Sequence, residues 1–210
     1  PKGERRKKLL DKAIEALRMV NMPDPERVVN QYPHELSGGM RQRAIIAMAL
    51  SCNPDLLIAD EPTTALDVTI RAQILDLLMQ LKQKFNMSIL LITHDMGTVA
   101  RTCDRVAVMY AGNIIELAET RSLFKNPRHP YTVGLLKSVP KLHEETSELA
   151  SIPGSVPDLI NPPSGCRFHP RCQFARAVCS EEKPQLIEVE PAHFVMCHIF
   201  ERPSYFKETN

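Results

Sequence analysis

Leu56-Leu57-Ile58-Ala59-Asp60-Glu61-Pro62 decides the fold. Four consecutive apolar residues are too few for a helix and fit a parallel strand buried on both faces, where no alternation of polar and apolar residues is required. Pro62 ends the run, because proline cannot supply the N–H that another rung of the ladder would need. A second run, Ser88-Ile89-Leu90-Leu91-Ile92-Thr93, has the same character and delivers His94-Asp95 at its tip. Between the two, Ile70 to Phe85 has the helical apolar period. Strand, helix, strand predicts an α/β layered sheet, with function at the carboxyl ends of its strands.

Those ends carry reactive groups. Neighbouring side chains on a strand point to opposite faces, so Asp60 and Glu61 take separate tasks only where the strand stops and curls. There the first acid suits Mg²⁺, and the second suits orienting or deprotonating a water that attacks a phosphate. The same residues also fit a strand running into a solvated acidic loop. His94 is able to donate to a phosphate oxygen, although a lone histidine is more often structural. Upstream, Ser37-Gly38-Gly39 precedes Met40 and an apolar run to Leu50. That is a helix start whose N–H groups form an anion site, or a plain turn.

Farther out, Pro1 to about Gln31 reads as helix, with Leu9, Leu10, Ala13, Ile14, Leu17 and Val20 at helical spacing. The Pro23-Asp24-Pro25 turn interrupts it before a short helix, Glu26 to Asn30. Arg105 to Tyr110 and Asn113 to Ala118 read as an antiparallel pair joined at Ala111-Gly112. From about Glu119 onward Pro127, Pro130, Pro140, Pro153, Pro157, Pro162, Pro163 and Pro170 imply an irregular appended module without further sheet.

The 210 residues are 43% hydrophobic, enough for one globular domain and a smaller appendage. With 26 Lys and Arg against 25 Asp and Glu, no nucleic-acid partner is expected. The basic run Lys2, Arg5, Arg6, Lys7 and Lys8 fits the solvated face of a helix. No apolar run approaches the roughly 18 residues of a membrane span, so any membrane contact is expected to be peripheral.

Six cysteines without a secretory signal point to thiols or thiolate ligands. Cys52 and Cys103 are expected as small buried or half-buried residues. Cys166, Cys172, Cys179 and Cys197 follow the spacing C-x5-C-x6-C-x17-C. Four such thiolates would ligate a [4Fe–4S] cluster or Zn²⁺, or remain free, and the lack of C-x-x-C pairs favours the cluster. His169, His193 and His198 are expected at the surface or behind the ligands.

Taken in order, Leu36-Ser37-Gly38-Gly39-Met40-Arg41-Gln42-Arg43, Asp60-Glu61-Pro62-Thr63-Thr64-Ala65-Leu66-Asp67 and Thr93-His94-Asp95 resemble the signature, the Walker B motif with its D-loop, and the switch histidine of ABC ATPases. The resemblance covers residues 1–118 as the later part of a nucleotide-binding domain: 1–53 for the helical subdomain and signature, 54–118 for part of the core sheet. It implies a partial ABC-type P-loop NTPase fold that uses ATP and Mg²⁺. Asp60 would bind Mg²⁺, Glu61 would be the general base, and His94 would contact the γ-phosphate. Ser37, Gly38, Gly39 and Gln42 would clasp ATP held by a second subunit, and Asp67 would lie at that interface.

One departure stands out. None of the eight glycines opens a G-x-x-x-x-G-K-[ST] segment, and the glutamine loop is not identifiable. The chain is therefore expected to be a C-terminal fragment without ATPase activity of its own. Asn126 to Thr132, Ile152 to Pro157 and Gly165 to Cys172 resemble the C-terminal extension of oligopeptide, dipeptide and nickel importer ATPases, spanning 119–210, and this resemblance supports a cluster. The implied partners are a second ATPase subunit in a heterodimer, two transmembrane permease subunits and, indirectly, an extracytoplasmic peptide-binding protein. The implied location is the cytoplasmic face of the membrane. A non-catalytic Fe–S regulatory module and a soluble ABC ATPase of another process are the alternatives.

Overall fold

A computed structural model describes residues 2–138 and 151–206. Pro1 and Pro140 lie outside the described residues. The chain divides into two compact units, Pro1–His94 and Asp95–Asn210.

In the first unit, α1 (Lys2–Met19) leads to the short α2 (Pro25–Val28). Leu17 and Val20 are buried, whereas Leu9 and Leu10 stay exposed, so the apolar stripe read along this segment is used only at its end. Arg43 fixes that end by donating to the Val20 carbonyl at 2.7 Å. Helix α3 (Gly38–Leu50) starts at Ser37, whose Oγ accepts from the Met40 N–H. Strand β1 (Leu56–Asp60) follows, then α4 (Val68–Phe85) and β2 (Ser88–Ile92). On α4 the buried Ile74, Leu77, Leu78 and Leu81 recur at i, i+3, i+4 and i+7, and they pack with Ile46, Ala47, Leu50 and Leu57. Asn86, at φ +50°, ends α4 in the left-handed region that asparagine tolerates.

β1 and β2 pair in parallel, with Leu56 opposite Ser88 and Asp60 opposite Ile92. Burial on both faces was the expectation for these strands. Instead Leu57 and Ala59 are buried while Leu56, Ile58, Leu90 and Ile92 are 45–60% exposed. Among the described residues, one side of the pair joins the helical core and the other is open.

The second unit opens with α5 (Met96–Thr102), capped by Asp95, which accepts from the Gly97 and Thr98 N–H groups. Strands β3 (Arg105–Tyr110) and β4 (Asn113–Glu119) form an antiparallel hairpin. Its two turn residues, Ala111 and Gly112, both have positive φ, +46° and +79°, the geometry that matches the twist of paired strands. Next come α6 (Thr120–Lys125), α7 (Pro130–Lys137), a 3₁₀ turn at His169–Arg171 and α8 (Ala177–Glu181). Strands β5 (Leu186–Glu190) and β6 (His193–Met196) precede α9 (His198–Glu201).

These last strands depart from the irregular tail expected from the prolines. β6 pairs with β4 and β5 with β6, giving one antiparallel sheet in the order β3-β4-β6-β5. The prolines crowd ahead of this segment, leaving 151–164 without helix or strand, while Leu186 to Glu190 is free of them. Val106, Val108, Ile115, Ala118 and Leu123 form the core with Phe168, whose ring meets Tyr110 edge-on at 5.2 Å.

Candidate functional site

The parallel register sets the acids and the histidine side by side. The ladder continues one step past β1, with the Glu61 N–H donating to Ile92 O at 2.9 Å. Glu61 then takes φ +45°, which turns the chain sharply into Pro62. Its carboxylate accepts from His94 Nδ1 at 2.7 Å and from Thr64 Oγ1 at 3.0 Å. The His94 hydrogen bond, then that of Thr64, holds the Glu61 carboxyl below the ordinary glutamate value. Glu61 is thus an ionised acceptor at neutral pH beside a solvent-facing imidazole. Asp60, the last residue of β1, is exposed at the same tip.

The other motif residues occupy helix starts. The Asp67 carboxylate accepts from the Ile70 N–H at 2.9 Å and caps α4. Ser37 spends its hydroxyl on the cap of α3. A Cβ at Gly39 would lie 2.8 Å from Ile70 Cγ2, and one at Gly38 would lie 3.2 Å from Leu66 Cδ2. At Gly39 a Cβ would force Ile70 to shift, while at Gly38 it would only press on the tip of Leu66, so close packing of α3 on the Thr63–Ile70 segment favours glycine apart from any anion binding. Gln42 is half-buried one turn on.

In the second unit, Cys166, Cys172, Cys179 and Cys197 line one small cavity with His129, Phe168, Phe174 and His198. Gly165 makes this possible: at φ +61°, a Cβ there would meet the Cys179 carbonyl oxygen at 2.4 Å, and beside it the Cys166 N–H donates to that oxygen at 2.8 Å. Burial raises the Cys166 and Cys172 thiols and pushes Cys197 up to about 12, with the neighbouring cysteines adding to each rise. All six cysteines are free. Cys103 is half-buried as expected, but Cys52 is exposed, because it lies past the end of α3. Among the described residues, no three His, Cys, Asp or Glu side chains are gathered to hold a metal ion. The expected ligand sphere is therefore not formed, although its four donors share a cavity.

Comparison with known proteins follows this division. Residues 3–64 match the ABC transporter family model, a span that takes in Ser37, Gly38, Gly39, Gln42, Asp60 and Glu61. Residues 115–179 match the Oligopeptide/dipeptide transporter, C-terminal region. Over most of its length the chain is similar to ATP-binding proteins of peptide ABC transporters. It is 56% identical over 193 residues, 91% of its length, to a peptide ABC transporter ATP-binding protein of Sinorhizobium fredii. It is 52% identical over 200 residues, 95% of its length, to the oligopeptide transport ATP-binding protein AppD of Bacillus subtilis. To the dipeptide transport ATP-binding protein DppD of Lactococcus lactis it is 51% identical over 193 residues, 92% of its length. The chain spans 58%, 61% and 55% of those three relatives. Among solved structures, a metal-chelate type ABC transporter in an inward-facing conformation matches with TM-score 0.51 at 28% identity, over 60% of this chain and 47% of that one. An ATP-binding cassette of an ABC transporter in its ADP conformation matches with TM-score 0.50 at 26% identity, over 60% and 48%.

The second unit also holds a buried polar group that the sequence does not announce. Glu116 on β4 is fully buried. A register shift at Val108/Met109 lets Ile115 and Glu116 both turn inward. The carboxylate accepts from the Arg128 N–H at 2.7 Å, the His129 N–H at 2.9 Å and His193 Nε2 at 2.7 Å. His193 and His198 are each 1% exposed, so of the two places expected for them the surface is excluded, and His198 lies on the cysteine cavity. Within the Asn126 to Thr132 segment, the His-Pro-Tyr run at 129–131 was the available signal.

Proposed function

We propose that the complete protein is the ATP-hydrolysing subunit of an importer of di- or oligopeptides at the cytoplasmic face of the cell membrane. The contact between Glu61 and His94 at neighbouring strand tips carries this reading. A general base must be ionised and within reach of water, and Glu61 is held ionised by two hydrogen-bond donors that face solvent. Movement of His94 from Glu61 to a γ-phosphate oxygen would free Oε1 to take the proton of the attacking water. Asp60, an exposed carboxylate one residue earlier, suits a hard cation and would hold Mg²⁺, which neutralises phosphate charge. The names of the relatives support peptide cargo. Ser37, Gly38, Gly39 and Gln42 would contact ATP carried by a second ATPase subunit, with Asp67 nearby, and two permease subunits would form the path fed by a peptide-binding protein.

The four cysteines of the second unit would hold a [4Fe–4S] cluster, or Zn²⁺ through the same donors. The donor set suits such a group by its chemistry: four free thiols line one cavity, and soft sulfur ligands are what a cluster or Zn²⁺ takes once they lose their protons. The cluster would supply one-electron redox capacity or tie the module together.

The test is ATP turnover by the full-length protein. Glu61→Gln should lower turnover by about 10²- to 10⁴-fold with nucleotide binding kept, and unchanged turnover would remove Glu61 as base. The 210 residues alone contain no G-x-x-x-x-G-K-[ST] segment and are expected to hydrolyse no ATP; turnover by them would overturn this account of nucleotide binding.

A further inference from the structure

The cysteine cavity is also lined by His129, which is 1% exposed. Its Nδ1 accepts a hydrogen bond from the Tyr131 N–H at 3.0 Å. A backbone amide only donates, so Nδ1 carries the lone pair and the proton of the neutral ring sits on Nε2. That Nε2 is buried and has no partner. The residue has little freedom to seek one: its backbone N–H is held by Glu116 Oε2 at 2.9 Å, and its ring lies 5.7 Å from that of Phe168. A buried N–H without an acceptor calls for one, and the polar groups that share this cavity are the four cysteine sulfurs with His169 and His198.

Resting on the reading of Cys166, Cys172, Cys179 and Cys197 as cluster ligands, we propose that His129 donates a hydrogen bond from Nε2 to a sulfur of that cluster, thiolate or bridging sulfide, and thereby raises its reduction potential. Reduction adds negative charge to the sulfurs, so a fixed N–H dipole stabilises the reduced form more than the oxidised one. Glu116 acts through His129 as a positioning residue.

The full-length protein, reconstituted without oxygen from iron and sulfide, tests this with His129→Phe, which keeps a ring without the N–H, and His129→Gln, whose amide restores a donor at similar reach. Iron and sulfide content is measured first, then the midpoint potential from visible absorbance. The Phe variant should favour the oxidised form by about tenfold at fixed potential, ~59 mV for one electron, and Gln should recover most of that. Loss of the cluster in Phe alone would also support the donor. An unmoved potential in Phe at full iron content overturns the His129 assignment only. Equal shifts in Phe and Gln, or loss of the cluster from both, reduce His129 to packing and overturn it too. A wild-type protein that takes up no iron and sulfide overturns the cluster reading itself, and the His129 proposal with it.

Discussion

Replacing Gly165 by alanine should loosen the whole cysteine module. The residue sits at φ +61°, where an alanine costs about 1–2 kcal/mol, partly offset by about 0.5–1 kcal/mol from the stiffer unfolded chain. Its Cβ would lie 2.4 Å from Cys179 O, 2.9 Å from Ser180 C and 3.0 Å from Glu182 O. All three atoms belong to backbone, so no side chain can swing away. Opening the first contact to ordinary distance moves residues 179–182 outward and breaks the adjoining 2.8 Å bond from the Cys166 N–H to Cys179 O. An amide left unsatisfied in a part-buried place costs about 1–3 kcal/mol. The net expectation is a loss of about 2–4 kcal/mol. Urea unfolding followed by the near-ultraviolet circular dichroism of Tyr110 and Tyr131, which pack beside Phe168 at 4.7 Å from each other, would report it. A loss below about 1 kcal/mol, with thiol labelling of Cys179 unchanged, would refute the close-approach argument.

At Ala111, φ +46°, glycine fits the turn better, and Ala111→Gly should stabilise the β3–β4 hairpin by about 1 kcal/mol in the same assay. In the metal-free protein Cys197, pushed up to about 12, should resist iodoacetamide at pH 8 while exposed Cys52 reacts fast, as mass spectrometry of the labelled peptides would show. Because folding raises this thiol above 9.0, its stabilising share is full below pH 9 and falls as pH climbs toward 12. Glu61 should titrate below 4.5 by carbon-detected NMR and move upward in His94→Ala. Folding lowers that carboxyl, so its contribution is present above pH 4.5 and disappears as pH falls through the folded value, with salt weakening it at this exposed site.

The parts legible in the sequence are those whose cause is local. The Ile74, Leu77, Leu78, Leu81 stripe, the two apolar runs and the Ala111-Gly112 turn each depend on neighbours a few residues away. The motif order also singled out Glu61 and His94, but not their contact, which depends on a register joining strands 33 residues apart. Glu116 lay hidden for the same reason: within Asn113 to Glu119 it reads as the solvent face of a strand, and His193 is 77 residues on. β5 was obscured by the prolines before it, although Ile187 and Val189 alternate with Glu188 and Glu190 as strand residues should. At Gly38 and Gly39 the residue type was noticed, while the packing demand from Leu66 and Ile70 emerges only in three dimensions.

Glu116 has a further consequence for the order in which the chain assembles. Its carboxylate stays hydrated until β4, the Arg128–His129 loop and β6 have all arrived, and closing a loop of 77 residues is among the slow steps of such a topology. During synthesis the hairpin and α6 emerge long before His193, so the loop that carries His129 waits for its latch. The four cysteines of the cavity, the last of which, Cys197, follows His193 by only four positions, would then come together at nearly the same moment as the latch closes. A cofactor reaching that cavity would meet either an open, unlatched module or a finished one, with little in between.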